Sequence, residues 1–371
     1  MRVLHVIPSI APSEGGLRTG TLATCRAQSA AGLRPEIACL NNPDPDDPDD
    51  PDDLPIHRFK PGRRLFGASK EMRLWLMGHA ADYGAIIAHV VWLNPAHYAA
   101  TAAGKAGVPL YLASRGMLDP DAMAHHRLRK LIAWHAGVRK LIGRGVLVFS
   151  SQADRDRSLS HPDLQGAPAV VVPNPVEMSD LVAGDPAHIV CLNRLHPRKG
   201  VLEWVQSLLR LRDEGLRFTA THAGIAQDHD YAARVRDCAA PLVHEGRLHF
   251  EGPLPHDRAR ALLGGAGILV HPAVGFENFG NVILEGMGAG KPVVASRRAL
   301  VTPELEQHGV VIGVEPTPTH IADALRRLLQ DKAAGSALGG AAREYARAHF
   351  SYAGVGTLWA NCLLKHSTNA T

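Results

Sequence analysis

The sequence predicts an α/β protein built of two doubly wound parallel-sheet domains, and three observations carry that prediction. Its 371 residues exceed one ordinary core, at about 150 residues per domain. Short apolar runs alternate with stretches of helical spacing, the pattern of a parallel sheet covered on both faces. The series then restarts after the proline-rich stretch from Pro173-Asn174-Pro175 to Pro186.

Val3-Leu4-His5-Val6-Ile7 is a β-branched run followed by Pro8, Gly15 and Gly16, then helical spacing from Thr19 to Ala31: strand, loop, helix. Glu36 to Leu40 is the second strand. Between Asn42 and Asp53 prolines remove backbone donors and like charges repel, which predicts a solvated loop, and it lacks the glycine turn and terminal Glu of an EF-hand. Ile86–Val90, Pro109–Ala113, Val146–Ser150 and Ala169–Pro173 complete the first strand series. The second comprises Ile189–Leu192, Phe218–His222, Leu248–Phe250, Ile268–His271 and Val293–Ser296, with helices between. Near the C-terminus a helix over Ala337–His349 is followed by Tyr352, Val355, Leu358, Trp359 and Leu363 at the spacing of one more helix, which should dock. The expected domains are 1–176 and 177–350, with 351–371 returning to the first, and the ligand site is expected in a cleft between them.

With 46% apolar and 20% charged residues the chain has the balance of a packed, soluble protein. No run is long and apolar enough to span a bilayer, and Pro8 interrupts any signal-peptide core, so a cytoplasmic location is expected. Five scattered cysteines argue against a disulfide framework or zinc ribbon and for buried thiols. Lys and Arg total 40 and Asp and Glu 36, but seven acids lie between Asp44 and Asp53. Without them 40 basic residues face 29 acidic ones, so the folded body is basic and suited to anionic partners.

Two segments carry chemistry. Gly275 to Pro292 follows a predicted strand, with a short apolar helix beginning near Asn278 or Phe279, whose N-terminal N–H groups suit phosphate. Glu277 lies just before that helix and Glu285 about two turns inside it; acceptor-only carboxylates so spaced can grip sugar hydroxyls, although an isolated pair at this spacing is more often two surface acids. In Asn193-Arg194-Leu195-His196-Pro197-Arg198-Lys199-Gly200, Arg194 and Lys199 leave one strand end around the turn at Pro197. A guanidinium fork and an ammonium converging there form a diphosphate clamp, against the simpler reading of solvated loop charges. This segment lacks the pattern of a P-loop, and no G-x-G-x-x-G follows the first strand, which disfavours nucleoside triphosphate hydrolysis and nicotinamide chemistry.

These two segments in this order resemble the retaining GT-B glycosyltransferases of family four. Ile7-Pro8-Ser9-Ile10-Ala11-Pro12 with Gly15-Gly16, Arg115-Gly116-Met117-Leu118-Asp119-Pro120 and Val172-Pro173-Asn174 look like its bacterial exopolysaccharide and O-antigen branch. The resemblance implies a GT-B fold and metal-independent transfer of a hexose, with retention, from a UDP- or GDP-sugar, with no other cofactor. It implies catalytic roles for Arg194 and Lys199 on the leaving diphosphate, where negative charge develops, and for Glu277 near the donor sugar. Donor binding falls to Gly16, Arg115, Leu254, the backbone around Phe279, Gly280 and Asn281, and Glu285 on the ribose. Either the departing phosphate oxygen takes the acceptor proton on the face it leaves, or a covalent intermediate forms on Glu277. The chain departs from the family pattern with Arg115 in place of His, Asn193 in place of Gly, and Pro175 in place of Gly.

From Ala122 to Ala153, Arg127, Arg129, Lys130, Arg139, Lys140 and Arg144 accompany Leu128, Leu131, Ile132, Val138, Leu141 and Ile142 near one helix face. Such a segment can rest on an anionic membrane, which would suit a polyprenyl-diphosphate-linked glycan acceptor at the inner membrane face. The competing and preferred reading of the apolar face is packing against the N-terminal sheet. No nucleic-acid partner is expected. A sugar-nucleotide epimerase and a non-catalytic nucleotide-sugar-binding scaffold are the alternatives, the first of which would need no acceptor.

Overall fold

A computed structural model of the protein describes residues 1–40, 51, 53–62 and 66–367. The chain forms two compact units, one of residues 1–175 with 351–371 and one of residues 176–350.

In the first unit the strands are β1 (Arg2–Val6), β2 (Arg34–Cys39), β3 (Ile56–Arg58), β4 (Ala85–His89), β5 (Leu110–Ala113), β6 (Val146–Phe149) and β7 (Ala169–Val171). They pair in parallel in the order β3-β2-β1-β4-β5-β6-β7. Its helices are α1 (Gly16–Ala30), α2 (Lys70–His79), α3 (Asn94–Ala106), α4 (Pro120–Ala124), α5 (Arg127–Ala133), α6 (Arg139–Ile142) and α7 (Gln152–Leu159). The second unit contains β8 (His188–Leu192), α8 (Val201–Asp213), β9 (Thr219–Ala223), α9 (His229–His244), β10 (Leu248–Gly252), α10 (His256–Gly265) and β11 (Ile268–His271). It continues with α11 (Asn281–Gly288), β12 (Val293–Ser296), α12 (Thr302–Gln307), β13 (Ile312–Val314), α13 (Pro318–Gln330) and α14 (Lys332–His349). Its parallel sheet has the order β10-β9-β8-β11-β12-β13.

Both sheets carry helices on both faces and near-continuous apolar strands, the doubly wound architecture predicted from alternation of the two periodicities. Sequence periodicity missed β3 and β13, because each is a three-residue edge strand with too few apolar positions to register. The last helix, α15 (Tyr352–Ser367), belongs to the first unit. Val355, Trp359 and Leu363 are buried with Val3, Ile87 and Tyr111 of its sheet. A Cβ on Gly356 would lie 2.0 Å from the Ala27 carbonyl oxygen, so glycine is what lets α15 lie against α1.

The stretch expected to form one amphipathic helix along 122–153 is broken. A π turn over Trp134–Val138, with Gly137 outside helical geometry, separates α5 from α6. Val138, Leu141 and Ile142 enter the core of the first unit, but Leu128, Leu131 and Ile132 stay exposed at 73%, 52% and 64%. The preferred reading, that the whole apolar face packs on the sheet, therefore holds only for the later half. Cys25, Cys39 and Cys191 are buried, whereas Cys238 and Cys362 are half-buried, and all five are free thiols. Most of the Asp/Pro loop at 43–53 lies outside the described residues; Asp53 at its end pairs with Arg26 at 3.1 Å. No described helix is long and apolar enough to cross a membrane.

Candidate active site

In the second unit the strand order reverses between β8 and β11, which pair Ile189 with Ile268 and Val190 with Leu269. Open parallel sheets bind ligands beyond the strand C-termini at such a reversal. The Arg194–Lys199 segment leaves the tip of β8, and the segment carrying Glu277 leaves the tip of β11.

These two loops are fastened together. A short turn at Pro197–Lys199 is capped by the His196 ring, which accepts from the Arg198 amide at 3.2 Å. The Arg198 carbonyl accepts from the amides of Val274 and Gly275 at 3.1 and 3.0 Å, and its guanidinium donates to the Phe276 carbonyl at 3.1 Å. Gly200, at φ 67°, starts α8, and a Cβ there would lie 2.0 Å from the Pro272 carbonyl oxygen. Only glycine meets both the left-handed conformation and the close approach. On the other side, the Glu277 amide donates to the Arg298 carbonyl at 3.2 Å, and the Glu277 carbonyl accepts from the Leu300 amide at 3.0 Å.

So held, Glu277 receives an ion pair from Lys199, with side-chain exposures of 23% and 18%. Burial alone would push the Glu277 carboxyl up; Lys199, supported by Arg194, instead holds it below the usual carboxylate range. Arg194 is exposed and forms no salt bridge among the described residues. His271, at the end of β11, is 1% exposed, and neither ring nitrogen has a partner among the described residues; burial lowers its pKa to about 4. In the sequence His271 has one signal only, a polar side chain closing an apolar strand just before Pro272.

Gly280, at φ 76°, caps α11, so this helix begins two or three residues later than predicted. Phe279 is a core residue, with its ring edge-on to Phe350, leaving only its backbone to meet a ligand. Asn281 opens the helix. Glu285, about one turn along, is half-buried; no salt bridge reaches it among the described residues, and burial raises its pKa to about 7 against the pull of Arg260. The structure thus joins Lys199 to Glu277 directly, leaves Arg194 acting on them through its charge, and sets Glu285 apart on α11. Leu254 is half-buried in the turn after β10, whose Gly252 carbonyl accepts from the Gly224 amide at 2.7 Å.

Two further residues named from the sequence lie in the first unit. Gly16 opens α1 in an exposed position, and it is Gly15, at φ 53°, that needs glycine there. Arg115, at φ 52°, turns its guanidinium inward, donating to Asn174 Oδ1 and, at 3.4 Å, to His89 Nδ1. Burial lowers its pKa to about 10. His89 continues to His5 at 3.0 Å and His5 to Gln28 at 2.9 Å. Arg115 is half-buried and ties its loop to the end of β4 and to Asn174. No cluster of three or more His, Cys, Asp or Glu residues that could hold a metal ion occurs among the described residues.

Residues 15–185 match the family described as glycosyl transferase 4-like domain, and residues 186–331 match glycosyl transferases group 1. A glycogen synthase of Mycobacterium tuberculosis is 32% identical over 189 residues, 48% of this chain and 42% of that protein. A GDP-mannose-dependent alpha-(1-6)-phosphatidylinositol monomannoside mannosyltransferase of the same organism is 29% identical over 180 residues, 46% of this chain and 45% of that one. The chain thus spans less than half the length of these curated relatives. Among solved structures, Anabaena HepE in complex with UDP-glucose superposes with a TM-score of 0.76 at 19% identity, covering 98% of this chain and 100% of the other. With the two domain matches in succession, the two doubly wound sheets and this likeness of fold, the chain belongs to the GT-B glycosyltransferases.

Proposed function

We propose that the protein transfers a hexose from a UDP- or GDP-sugar to a hydroxyl of a glycan acceptor, with retained configuration and without a metal. The observation that carries this reading is the Lys199–Glu277 ion pair at the reversal between β8 and β11, with Arg194, which forms no salt bridge among the described residues, acting on Glu277 through its charge. An ammonium has three donors, so Lys199 can keep Glu277 and still meet a phosphate oxygen. Arg194 supplies a second cation where charge accumulates on the departing diphosphate. The bond from the anomeric carbon to the phosphate oxygen breaks, the acceptor oxygen bonds to that carbon from the same face, and its proton passes to the departing oxygen. Glu277, ionised under the influence of Lys199, stabilises the positive charge that develops on the sugar.

The acceptor we propose is a polyprenyl-diphosphate-linked glycan of surface polysaccharide assembly, met at the inner face of the membrane. The exposed Leu128, Leu131 and Ile132 among Arg127, Arg129 and Lys130 support it, since apolar side chains framed by cations suit an anionic bilayer. So does the lipid acceptor in the name of the mycobacterial mannosyltransferase. The test is a panel of nucleotide sugars, read first by melting temperature and then by product analysis with and without acceptor and chelator. A melting shift with UDP or GDP and an acceptor-dependent product untouched by chelator are expected. A converted sugar without acceptor would make the protein an epimerase, a melting shift with no product would leave the scaffold, and no response to any nucleotide would refute the reading.

A further inference from the structure

A second constellation lies in the first unit, away from the candidate active site, on the later half of the basic segment whose membrane reading it deepens. Between α3 and the segment around the π turn is a pocket of about 110 Å³, open to solvent, lined by His97 and Gly137 and by the exposed Lys140 and Arg144. One water needs about 10–15 Å³ on this measure, so the space admits several waters or one tetrahedral oxyanion. No acidic side chain lines it.

We propose that this cavity binds a phosphate group. The break at Gly137 builds it: α6 is turned so that Val138, Leu141 and Ile142 fill the core while Lys140 and Arg144 are left at the cavity. π turns of this kind recur at functional sites. A Cβ on Gly137 would stand 3.3 Å from the His97 ring, so a larger residue would crowd the space. Arg139, next in the chain, is neutralised by Asp163 at 3.1 Å, yet Lys140 and Arg144 have no salt bridge among the described residues. Lys140 on α6 and Arg144 in the turn that follows it both carry positive charge, and a phosphate between them would accept a charge-assisted hydrogen bond from each. Burial and the nearby Arg144 keep His97 below the usual imidazole range, so it enters as a neutral ring with one N–H to donate.

A soluble phosphate or the headgroup of an anionic phospholipid supplies the same group, and one experiment separates them. The full chain is treated with an acetylating N-hydroxysuccinimide ester, and the rate at Lys140 is compared by peptide mass with that at the exposed Lys332 of the other unit. Inorganic phosphate is set against chloride at matched ionic strength, and phosphatidylglycerol vesicles against phosphatidylcholine vesicles. We expect phosphate, phosphatidylglycerol or both to slow Lys140 by at least about threefold relative to Lys332, and Arg144→Gln to remove the effect. Protection by phosphate alone identifies a soluble ligand, and by phosphatidylglycerol alone a lipid headgroup. If neither slows Lys140, or protection persists unchanged in Arg144→Gln, the proposal is overturned. Because the readout is local to Lys140 and needs no nucleotide, its failure is distinct from failure of the transferase reading.

Discussion

Replacing Lys199 by Ala isolates what the ion pair contributes to fold and to chemistry. Removing one partner of a buried pair costs about 3–5 kcal/mol because the other charge is stranded. Here the side chains are 18% and 23% exposed, so water recovers part of it and about 2–3 kcal/mol is the reasonable figure. For a unit of the size of residues 176–350, one kcal/mol shifts the midpoint by about 2–4 °C, giving a fall of roughly 5–10 °C at pH 7.5. The pH dependence has a definite sign. In the wild type Glu277 is depressed below 4.5, so its contribution is present above the unfolded value and fades as pH falls through the folded one. In Lys199→Ala burial dominates and raises Glu277, so the stranded carboxylate costs stability at neutral pH and protonation relieves it in acid. The gap between the two proteins is therefore widest near pH 7–8 and closes towards pH 4. Scanning calorimetry across that range measures it, with Lys199→Ala/Glu277→Gln as the control. The double variant should recover most of the stability and none of the turnover. A single variant melting within about 1 °C of wild type at pH 7.5, or no recovery in the double, would refute the claim that this pair fixes the loop.

Three further outcomes are expected. Arg194→Ala, which breaks no salt bridge among the described residues, should leave the melting temperature nearly unchanged and weaken UDP or GDP binding about 10- to 100-fold by titration calorimetry, the loss of one charge-assisted contact. Glu285, with its pKa near 7, should make nucleotide affinity rise about tenfold between pH 6 and pH 8 as the carboxylate forms to accept ribose hydroxyls. Glu285→Gln should flatten that profile, and an unaltered slope would remove Glu285 from ribose binding. Gly200→Ala places a Cβ against the Pro272 carbonyl in a left-handed residue, costing upwards of about 1–2 kcal/mol from the backbone conformation alone. It should lower the midpoint and abolish the nucleotide-induced shift together, and wild-type melting in this variant would show that the two loops do not need the contact.

Much of the fold was legible because its signals are local. β1, β8 and β11 announce themselves as β-branched runs ending in proline or charge, and most of α14 is read from the spacing over Ala337–His349. The short edge strands β3 and β13 were not legible, since three residues bear no period and their pairing partners decide them. At the site, the residue types at 194, 199, 277 and 285 were readable as cations and acids near strand ends. That Phe279 is core, that Gly15 rather than Gly16 takes the positive φ, and that Arg115 points inward were not. Each depends on what surrounds the residue, which the flanking sequence does not state.

Sequence alone determined the two series of strands and helices, the place where one ends and the next begins, and which chemical groups follow which strand. Those are properties of neighbours within a dozen residues, set by side-chain spacing and by proline and glycine. Tertiary structure decided the rest: a register between β8 and β11 that brings Lys199 to Glu277 across 78 residues, and a break at Gly137 that buries the later half of the segment's apolar face and bares the earlier half. Such pairings are won by competition among whole packings, in which a local pattern is only one contributor.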